Sequence, residues 1–369
     1  MNYQNLSTEQ LKILKKQLQS EIEIFSIKEK SAKIFLNSGF GALGNPYFRW
    51  YDTRIAEAIT VTGQYCIRWI QNNLNAYLNK LAKTTGKDYV IMSDTDSVAL
   101  NLNFAVQMYY KGDKTNKTAI INFLDKLCKE VISPYIKKKC EELSDYLNAY
   151  ANSLDFKREV IADRGLWTAK KRYCLNVYDS EGVRYEKPKL KIMGIEVQRS
   201  STPKICRDKL KESIRIILTK DQPTLVSYIN DFKKEFYNSK VDEISFPRSV
   251  NKLEEYSDPD TINKKSTPIA VKGALFHNHL IKKYKLGKKY QLIGNSEKIK
   301  FLYLTEPNLM GSRVISYSGS HPPKEFKVEK YIDYDTQFEK SFLDPLYSIL
   351  DAIHWKHEEE NTLERFFGI

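Results

Sequence analysis

The feature of this sequence that most constrains its fold is an abrupt change of hydrophobic period near residue 90. From Arg54 to Leu81 the apolar residues have helical spacing, but KDYVIMSDTDSVALNLN does not continue that pattern. Its apolar, β-favouring runs, Tyr89 to Met92 and Val98 to Leu102, flank the pentapeptide Ser-Asp-Thr-Asp-Ser. Two such runs joined by turn-forming residues predict a β-hairpin. We therefore expect an α+β protein in which helices precede and follow this hairpin.

The predicted turn carries two carboxylates, Asp94 and Asp96. Residues two apart in an extended strand point to the same side, so both side chains are expected to project together. Two anions this close repel each other unless a cation is present, and hard oxygen ligands suit Mg²⁺. In two-metal phosphoryl transfer, such carboxylates hold the ions that activate the attacking oxygen and neutralise the leaving one. The alternative is a solvated acidic turn that caps its own backbone, the commoner role of an isolated D-x-D.

A glycine-rich stretch upstream of the hairpin, NSGFGALGN, has the spacing G-x-G-x-x-G at Gly39, Gly41 and Gly44. A dinucleotide-binding turn would need a buried strand before these glycines and an acidic residue about 20 positions after them. The preceding SIKEKSAKIFLNS lacks alternating apolar residues and predicts a helix instead. A dinucleotide cofactor is therefore disfavoured.

Lys33, Asn37 and Phe40 recur at steps of four and three residues, which places them on one face of that predicted helix. There a lysine can bind a triphosphate, an asparagine can orient it, and a ring beside small glycines can lie against a base pair. The glycines would let another surface approach the helix closely. The alternative is that Phe40 belongs to the core and Lys33 is solvated.

The N-terminal region predicts a helix that begins at Thr8, because Ser7 and Gln10 have the spacing of a capping box. Apolar residues then recur on one face at three- and four-residue steps, namely Leu11, Leu14, Leu18, Ile22 and Phe25. A second helical run, about Ser26 to Leu43, follows a small break, and the pattern leaves open whether the two are continuous. Because an intact helix starts so near Met1, we expect a genuine chain boundary there.

The rest of the chain alternates between helical and extended patterns. Residues 103–155 are predicted to be mostly helical, with interruptions at the loop KGDKTNK and at Pro134. Residues 158–198 are predicted to form strands, with a hairpin turn at Glu181-Gly182. Helices are predicted for residues 203–246 and for about the last 40 residues. A loop is expected at 247–267, and short strands with Gly- and Pro-containing turns at 268–330.

Charge and composition restrict the class of partner and compartment. The 369 residues carry a formal net charge of +13, which predicts an anionic partner, most often nucleic acid, while DNA, RNA and a phospholipid surface stay open. No apolar run is long enough to span a bilayer and the start lacks the regions of a signal peptide, so we expect a cytoplasmic protein without a membrane partner. The five cysteines include no C-x-x-C pair, which favours a reducing compartment over a disulfide framework or a zinc site.

Several motifs in series resemble those of the family B DNA polymerases. KIFLNSGFGALGN followed by IMSDTDSV resembles motif B and motif C of that family, in the same order. KKRYCLNVYDSEGVRYEKPKLKIMGIEVQRSSTPK is similar to the palm-to-thumb segment of the replicative polymerases of T-even-type bacteriophages, and the similarity extends to the C-terminus. The resemblance implies a partial polymerase right hand: part of the fingers (1–50), an incomplete antiparallel palm sheet with helices (51–200), and a mostly helical thumb with a clamp-binding tail (201–369).

The resemblance also implies roles for individual residues. Asp94 and Asp96 would bind the catalytic metals, expected to be two Mg²⁺ ions, with Mn²⁺ as the alternative. The residues expected at the incoming deoxynucleoside triphosphate are Lys33, Asn37, Phe40 and Gly41. The sequence departs from the family pattern at Phe40, where tyrosine is usual, and at Met92-Ser93, where a Tyr-Gly or small-residue-Gly pair is usual.

Basic residues are expected to contact the primer-template DNA. Lys170, Lys171, Arg172 and Tyr173 match the motif that follows the primer strand, and the alternative is a solvated surface run. Glu159 aligns with an accessory palm carboxylate, and the alternative is an ordinary surface glutamate. Lysines interleaved with Tyr284 and Tyr290 resemble a thumb segment that tracks the DNA backbone, namely Lys282, Lys283, Lys285, Lys288 and Lys289.

The last residues, TLERFFGI, place Leu363, Phe366 and Phe367 at a spacing that lets one helical turn present all three to a hydrophobic pocket. They resemble the sliding-clamp tail of this polymerase family. The alternative is a C-terminal helix that packs on the protein's own core.

One expected element of a family B polymerase is not found. The first metal-binding aspartate lies in a D-x-x-S-L-Y-P-like motif upstream of motif B, and too few residues precede Lys33 for it or for a proofreading exonuclease. The primary hypothesis is therefore the C-terminal subunit of a split phage polymerase in the host cytoplasm, inactive without an N-terminal subunit that carries both. The alternative is a non-catalytic DNA- and clamp-binding protein derived from a polymerase. A self-sufficient nucleotidyltransferase would need a further carboxylate.

Overall fold

A computed structural model describes residues 6–358, apart from residues 196, 198, 257, 259–263, 265 and 310. The chain divides into two compact units, Met1–Lys157 and Arg158–Ile369. The described residues form helices and three small antiparallel sheets, so the predicted α+β class is confirmed. No helix in this part of the chain has both the length and the apolar character that a membrane span requires.

The first unit contains long helices and one β-hairpin. Its helices are α1 (Thr8–Leu43), α2 (Thr53–Ala82), α3 (Asn103–Tyr109), α4 (Lys117–Leu127) and α5 (Ser133–Tyr146). Between α2 and α3, strands β1 (Val90–Asp94) and β2 (Ser97–Leu100) pair in antiparallel fashion. The predicted hairpin is therefore confirmed.

Helix α1 is continuous over 36 residues, so the small break expected before Ser26 is not present. Its predicted start is confirmed, because Ser7 Oγ accepts a hydrogen bond from the Gln10 amide and Gln10 Oε1 accepts one from the Ser7 amide. A polar residue at position 26 does not interrupt the backbone hydrogen bonds of a helix, which explains the continuity. Residues 1–5, which the expected boundary at Met1 concerns, lie outside the described part.

The core of the first unit joins the second half of α2 to α5 and to the base of the hairpin. Ile70, Leu74, Val90, Ile136 and Cys140 are among its buried members. A π-helical turn over residues 128–132 joins α4 to α5. The helical path therefore continues past Pro134, contrary to the predicted interruption, because this proline lies in the first turn of α5, where its missing N–H is tolerated.

The second unit combines two three-stranded sheets with helices. Strands β3 (Val160–Ala169), β4 (Arg172–Ser180) and β5 (Val183–Met193) form one sheet, and β6 (Phe246–Val250), β7 (Glu297–Tyr303) and β8 (Val314–Tyr317) form the other. Its helices are α6 (Lys204–Thr219), α7 (Gln222–Tyr237), α8 (Val241–Ile244), α9 (Ile269–Lys283), α10 (Tyr334–Phe338) and α11 (Asp344–Ile353). The predicted helical segments at 203–246 and in the C-terminal part up to residue 358 are confirmed.

Local turn chemistry predicted the β4–β5 connection correctly. Glu181 and Gly182 both have positive φ, 53° and 89°, as a two-residue type I′ hairpin turn requires.

Two predictions for the second unit were wrong. The expected loop at 247–267 begins with most of β6, and the segment 268–330 contains α9, whose buried residues recur at helical steps but include Gly273 and His277, which weaken the apolar pattern.

Candidate functional site

The turn between β1 and β2 holds the two carboxylates singled out by the sequence. Asp94 pairs with Ser97 across the hairpin, so the connection consists of Thr95 and Asp96 alone. Thr95 has a positive φ of 56°, and the Asp96 amide donates to the Asp94 carbonyl oxygen over 2.6 Å. Strand alternation applies only to extended residues, and Asp96 lies beyond the strand. The expectation that alternation would align both side chains therefore does not apply at this turn.

Hydrogen bonds fix the Asp94 end of this turn. The Ser97 hydroxyl donates to the Asp94 carbonyl oxygen over 3.1 Å. The Thr95 hydroxyl donates to Asp94 Oδ1 over 3.0 Å. Asp96 is exposed, whereas Asp94 is half-buried. The turn thus presents one restrained and one solvent-facing carboxylate.

Helix α2 holds the base of the hairpin in place. Asn75 Oδ1 accepts hydrogen bonds from the amides of Tyr89 and Val90, at 2.9 and 2.8 Å. The Ser93 hydroxyl donates to Gln71 Oε1 over 3.1 Å. Ser93 also pairs with Val98 in the ladder, so the strand continues through the position where the family pattern has glycine. Asn75 and Gln71 are positioning residues that the sequence analysis did not identify, because a polar residue on an amphipathic helix carries no distinctive signal.

The donor chemistry of the turn suits a hard cation such as Mg²⁺, because both side chains offer carboxylate oxygens. Over the described ranges, no group of three or more His, Cys, Asp or Glu side chains is arranged to hold a metal ion. Asp94 and Asp96 therefore fit a divalent ion as members of a ligand set rather than as a complete one.

The residues of the glycine-rich motif lie at the C-terminal end of α1. Lys33, Asn37, Phe40 and Gly41 are all exposed. Phe40 is therefore not part of a core, and a helix rather than a strand precedes the glycines, which excludes a dinucleotide-binding turn of the usual type. A β-carbon added at Gly39 or Gly41 would meet no atom within 4 Å. The space beside these glycines is open to another molecule.

The basic motif lies at the β3–β4 turn of the second unit. Ala169 pairs with Arg172, so Lys170 and Lys171 form a two-residue connection, in which both are exposed. Lys171 has a positive φ of 62°. The ring of Tyr173 stacks on Trp167 with a centroid distance of 6.2 Å. The structure therefore presents the two lysines together on a rigid strand pair.

Gly194 supports this turn and was missed by the sequence analysis. It follows β5 with a positive φ of 66°, and a β-carbon there would lie 2.1 Å from the carbonyl oxygen of Lys171. Only glycine fits so close to another backbone. The signal available in the sequence was a single glycine directly after a long strand pattern.

The remaining predicted site residues are Glu159, the lysines between residues 282 and 289, and the C-terminal apolar residues. Glu159 is exposed just before β3, and its carbonyl oxygen accepts a hydrogen bond from the Glu181 amide over 2.6 Å. Of the five lysines predicted to track the DNA backbone, Lys289 forms an ion pair with Glu325 at 2.5 Å. That contact lowers the pKa of Glu325 to about 2. The predicted clamp-binding residues, Leu363, Phe366 and Phe367, lie outside the described residues.

Sequence comparisons relate the chain to DNA polymerases. No protein-family model matches the chain. The chain is 36% identical to the DNA-directed DNA polymerase of Enterobacteria phage T4 over 347 residues, which cover 91% of this chain and 38% of the relative. It is 35% identical to the DNA-directed DNA polymerase of Escherichia phage RB69 over 346 residues, with the same coverage.

A more distant relative is DNA polymerase 1 of Pyrococcus abyssi, which is 25% identical over 219 residues, or 58% of this chain and 23% of the relative. The chain spans about two fifths of the length of the two phage relatives. The resemblance predicted from the motifs is confirmed: the chain is a homologue of part of the DNA-directed DNA polymerases of phages T4 and RB69.

Proposed function

We propose that the chain is the C-terminal subunit of a split family B DNA polymerase and performs template-directed nucleotidyl transfer together with a separate N-terminal chain. The observation that carries the proposal is the similarity to two phage DNA polymerases over 91% of the chain. The acidic β1–β2 turn supports it, because carboxylates there can contribute to a metal-dependent phosphoryl-transfer site.

In the proposed site, Asp94 and Asp96 hold the divalent ions, two Mg²⁺ or alternatively Mn²⁺. When bound, such ions neutralise charge on the phosphates and activate the primer hydroxyl. The Thr95 hydroxyl orients the Asp94 carboxylate, since it donates to Oδ1. The N-terminal chain supplies the first palm aspartate and the exonuclease.

The exposed end of α1 is proposed to bind the incoming deoxynucleoside triphosphate. Lys33 provides a positive charge for the phosphates and Asn37 a hydrogen bond to orient them. Phe40 lies against the nascent base pair, with the open space beside Gly41 leaving room for it. This helix belongs to the fingers (1–50) in the proposed arrangement, the hairpin to the palm (51–200), and the remainder to the thumb (201–369).

The paired lysines of the β3–β4 turn are proposed to contact the primer strand. Lys170 and Lys171 carry exposed positive charge, and Arg172 and Tyr173 anchor the turn in the sheet. Glu159 is proposed as the accessory carboxylate. Leu363, Phe366 and Phe367 are proposed to bind a sliding clamp, and the assembly to act in the cytoplasm of a bacterial host.

Primer extension tests the proposal. We would assay the chain alone and the chain mixed with a fragment of the phage T4 polymerase that lacks the region this chain matches. Extension by the mixture is expected to fall about 100-fold or more with Asp94→Ala, as when a group that stabilises the transition state is removed. Asp113→Ala is the matched control, because Asp113 is an exposed aspartate in a loop of the same unit.

The outcomes distinguish the alternatives. Extension by the chain alone would contradict the requirement for a second chain. Primer-template binding without extension in the mixture would favour the alternative of a non-catalytic DNA- and clamp-binding protein, which the net charge of +13 also supports.

A further inference from the structure

We infer that Asp179 is a positioning residue, which fixes the backbone of Glu159 and so the place of the proposed accessory carboxylate. Asp179 is the second-last residue of β4, and Glu159 lies directly before β3. The inference rests on the proposed function, because that function gives Glu159 its role. It adds the side chain through which the fold holds this glutamate in place.

Asp179 lies in the interior of the second unit. Its side chain has an exposed fraction of 0%, and no other Asp, Glu, Lys or Arg in the described part of the chain is classed as buried. A buried carboxylate is unfavourable unless cations or hydrogen-bond donors compensate its charge. The partners of Asp179 therefore decide what this charge does.

Both carboxylate oxygens of Asp179 contact positively charged groups. Arg158 Nη1 forms an ion pair with Oδ1, and Arg184 Nε lies 3.2 Å from Oδ2. The Gly182 amide also donates to Oδ1, over 3.1 Å. These partners come from the segment before β3, the start of β5 and the turn between β4 and β5. One carboxylate thus joins three stretches of backbone.

The backbone of Glu159 is fixed on both sides by this arrangement. Arg158, the preceding residue, is anchored by Asp179. The carbonyl oxygen of Glu159 accepts a hydrogen bond from the Glu181 amide over 2.6 Å, and Val160 already belongs to the β3–β4 ladder. The Glu159 side chain itself is exposed. An exposed side chain on a fixed backbone is suited to present a ligand in a defined place.

The energetics of buried ion pairs favour a positioning role over a stabilising one. Well-packed apolar side chains of similar volume often stabilise a fold as much as a buried ion pair does. Charge-assisted contacts from a planar guanidinium group are directional, however, and apolar contacts are not. The cluster around Asp179 therefore contributes defined geometry beside Glu159 rather than burial alone.

Three substitutions test this role. Asp179→Asn keeps the shape of the side chain but removes its charge. Arg158→Lys is milder, because it keeps the positive charge but loses the planar group. Asp155→Asn is the matched control: Asp155 lies four residues before Glu159, pairs with Lys157 and has a side chain that is 72% exposed, and such surface pairs contribute little.

Hydrogen exchange of the Glu181 amide, measured by NMR on the full chain, reports on the backbone of Glu159 without any assay of activity. We expect exchange about tenfold faster or more in Asp179→Asn, a smaller increase in Arg158→Lys, and no change in Asp155→Asn. Unchanged exchange in Asp179→Asn would overturn the inference. Should that variant fail to fold, as judged by circular dichroism, unchanged exchange in Arg158→Lys would overturn it equally.

Primer extension with the T4 polymerase fragment that lacks the matched region tests the consequence for Glu159. Asp179→Asn is expected to slow extension about 10- to 100-fold, as is usual when a residue that orients a metal ligand is lost, with primer-template binding unchanged. In a Glu159→Gln background it should cause no further loss, because both changes remove the same contribution. Multiplied losses in the double variant would contradict the inference.

These measurements separate the inference from the proposed function. Absence of extension by the wild-type mixture, together with faster Glu181 exchange in Asp179→Asn, would refute the function but support the positioning of the Glu159 backbone. Extension that is the same for wild type and Asp179→Asn would refute the inference but leave the function intact.

Discussion

The carbonyl oxygen of Lys171 lies 2.1 Å from the position that a β-carbon would occupy on Gly194. Two backbone segments from different turns of one sheet therefore touch, and the basic β3–β4 turn rests on the residue that follows β5. Since neither backbone can rotate away like a flexible side chain, the contact fixes the conformation of the turn.

Gly194→Ala is expected to destabilise the protein and to displace the Lys170–Lys171 turn. The loss should exceed that of Gly182→Ala by about 1–3 kcal/mol, the usual cost of forcing atoms into filled space. Gly182 is a suitable control because it also has a positive φ, but a β-carbon there meets nothing within 4 Å. Urea unfolding of both variants measures the difference, and equal losses would contradict the role of the contact.

The acidic turn contains a strained residue. Thr95 has a positive φ of 56°, which is unfavourable for a β-branched side chain. Thr95→Asn is expected to raise the free energy of unfolding by about 1 kcal/mol, since asparagine tolerates this conformation better. Chemical denaturation provides the measurement, and an unchanged or lower stability would show that the threonine hydroxyl bond to Asp94 matters more than the backbone strain.

The ion pair between Lys289 and Glu325 predicts a defined pH dependence. The pKa of Glu325 in the folded protein is about 2, below the ordinary value of 4.5 for a glutamate. A carboxyl group with a lowered pKa adds stability above pH 4.5, and this contribution disappears as the pH falls from about 4.5 towards 2. Lys289→Met should raise the pKa of Glu325 from about 2 towards 4.5, as measured by NMR titration, because the hydrogen bond from Lys289 is the largest cause of the lowered value.

Lys288→Met is the control for this titration, because Lys288 is the neighbouring lysine and has no ion pair with Glu325 among the described contacts. A pKa that stays near 2 in Lys289→Met would show that the lysine is not its cause. The Lys289 ammonium group is thus already paired with a carboxylate of its own unit.

Local chemistry made several elements predictable from the sequence. Ser7 and Gln10 cap α1 through bonds within four residues, and the Glu181-Gly182 turn depends on the conformational preference of two adjacent residues. The acidic hairpin was predictable too, because its turn-forming residues lie directly between two short apolar strands. The contact of Gly194 with Lys171 was not, because it joins residues that are distant in sequence through the pairing of β4 with β5.

Tertiary context explains the elements that were missed. The stretch 247–267 was predicted to be a loop, but its first residues belong to β6. Among the described strands, β6 lies at the edge of its sheet beside β7, where the missing N–H of Pro247 is tolerated. Helix α9 has a glycine and a histidine, Gly273 and His277, among its buried residues, so its apolar period is weak in the sequence. The exposure of Lys33, Asn37 and Phe40 was likewise not decided by spacing, which is the same for a core face and a binding face.

Gly273 in α9 shows how packing can reverse a local preference. In an ordinary helix interior, replacing glycine by alanine stabilises the protein by about 1 kcal/mol. At Gly273, however, a β-carbon would lie 2.5 Å from Ser316 Oγ and 2.7 Å from its backbone nitrogen, because α9 packs directly on β8. Gly273→Ala is therefore expected to lower the free energy of unfolding by about 1–3 kcal/mol, whereas Gly287→Ala, which meets no atom within 4 Å, should leave it within a few tenths. Thermal denaturation of the two variants decides the matter: a stabilised Gly273→Ala protein would mean that helix and sheet are not in such close contact.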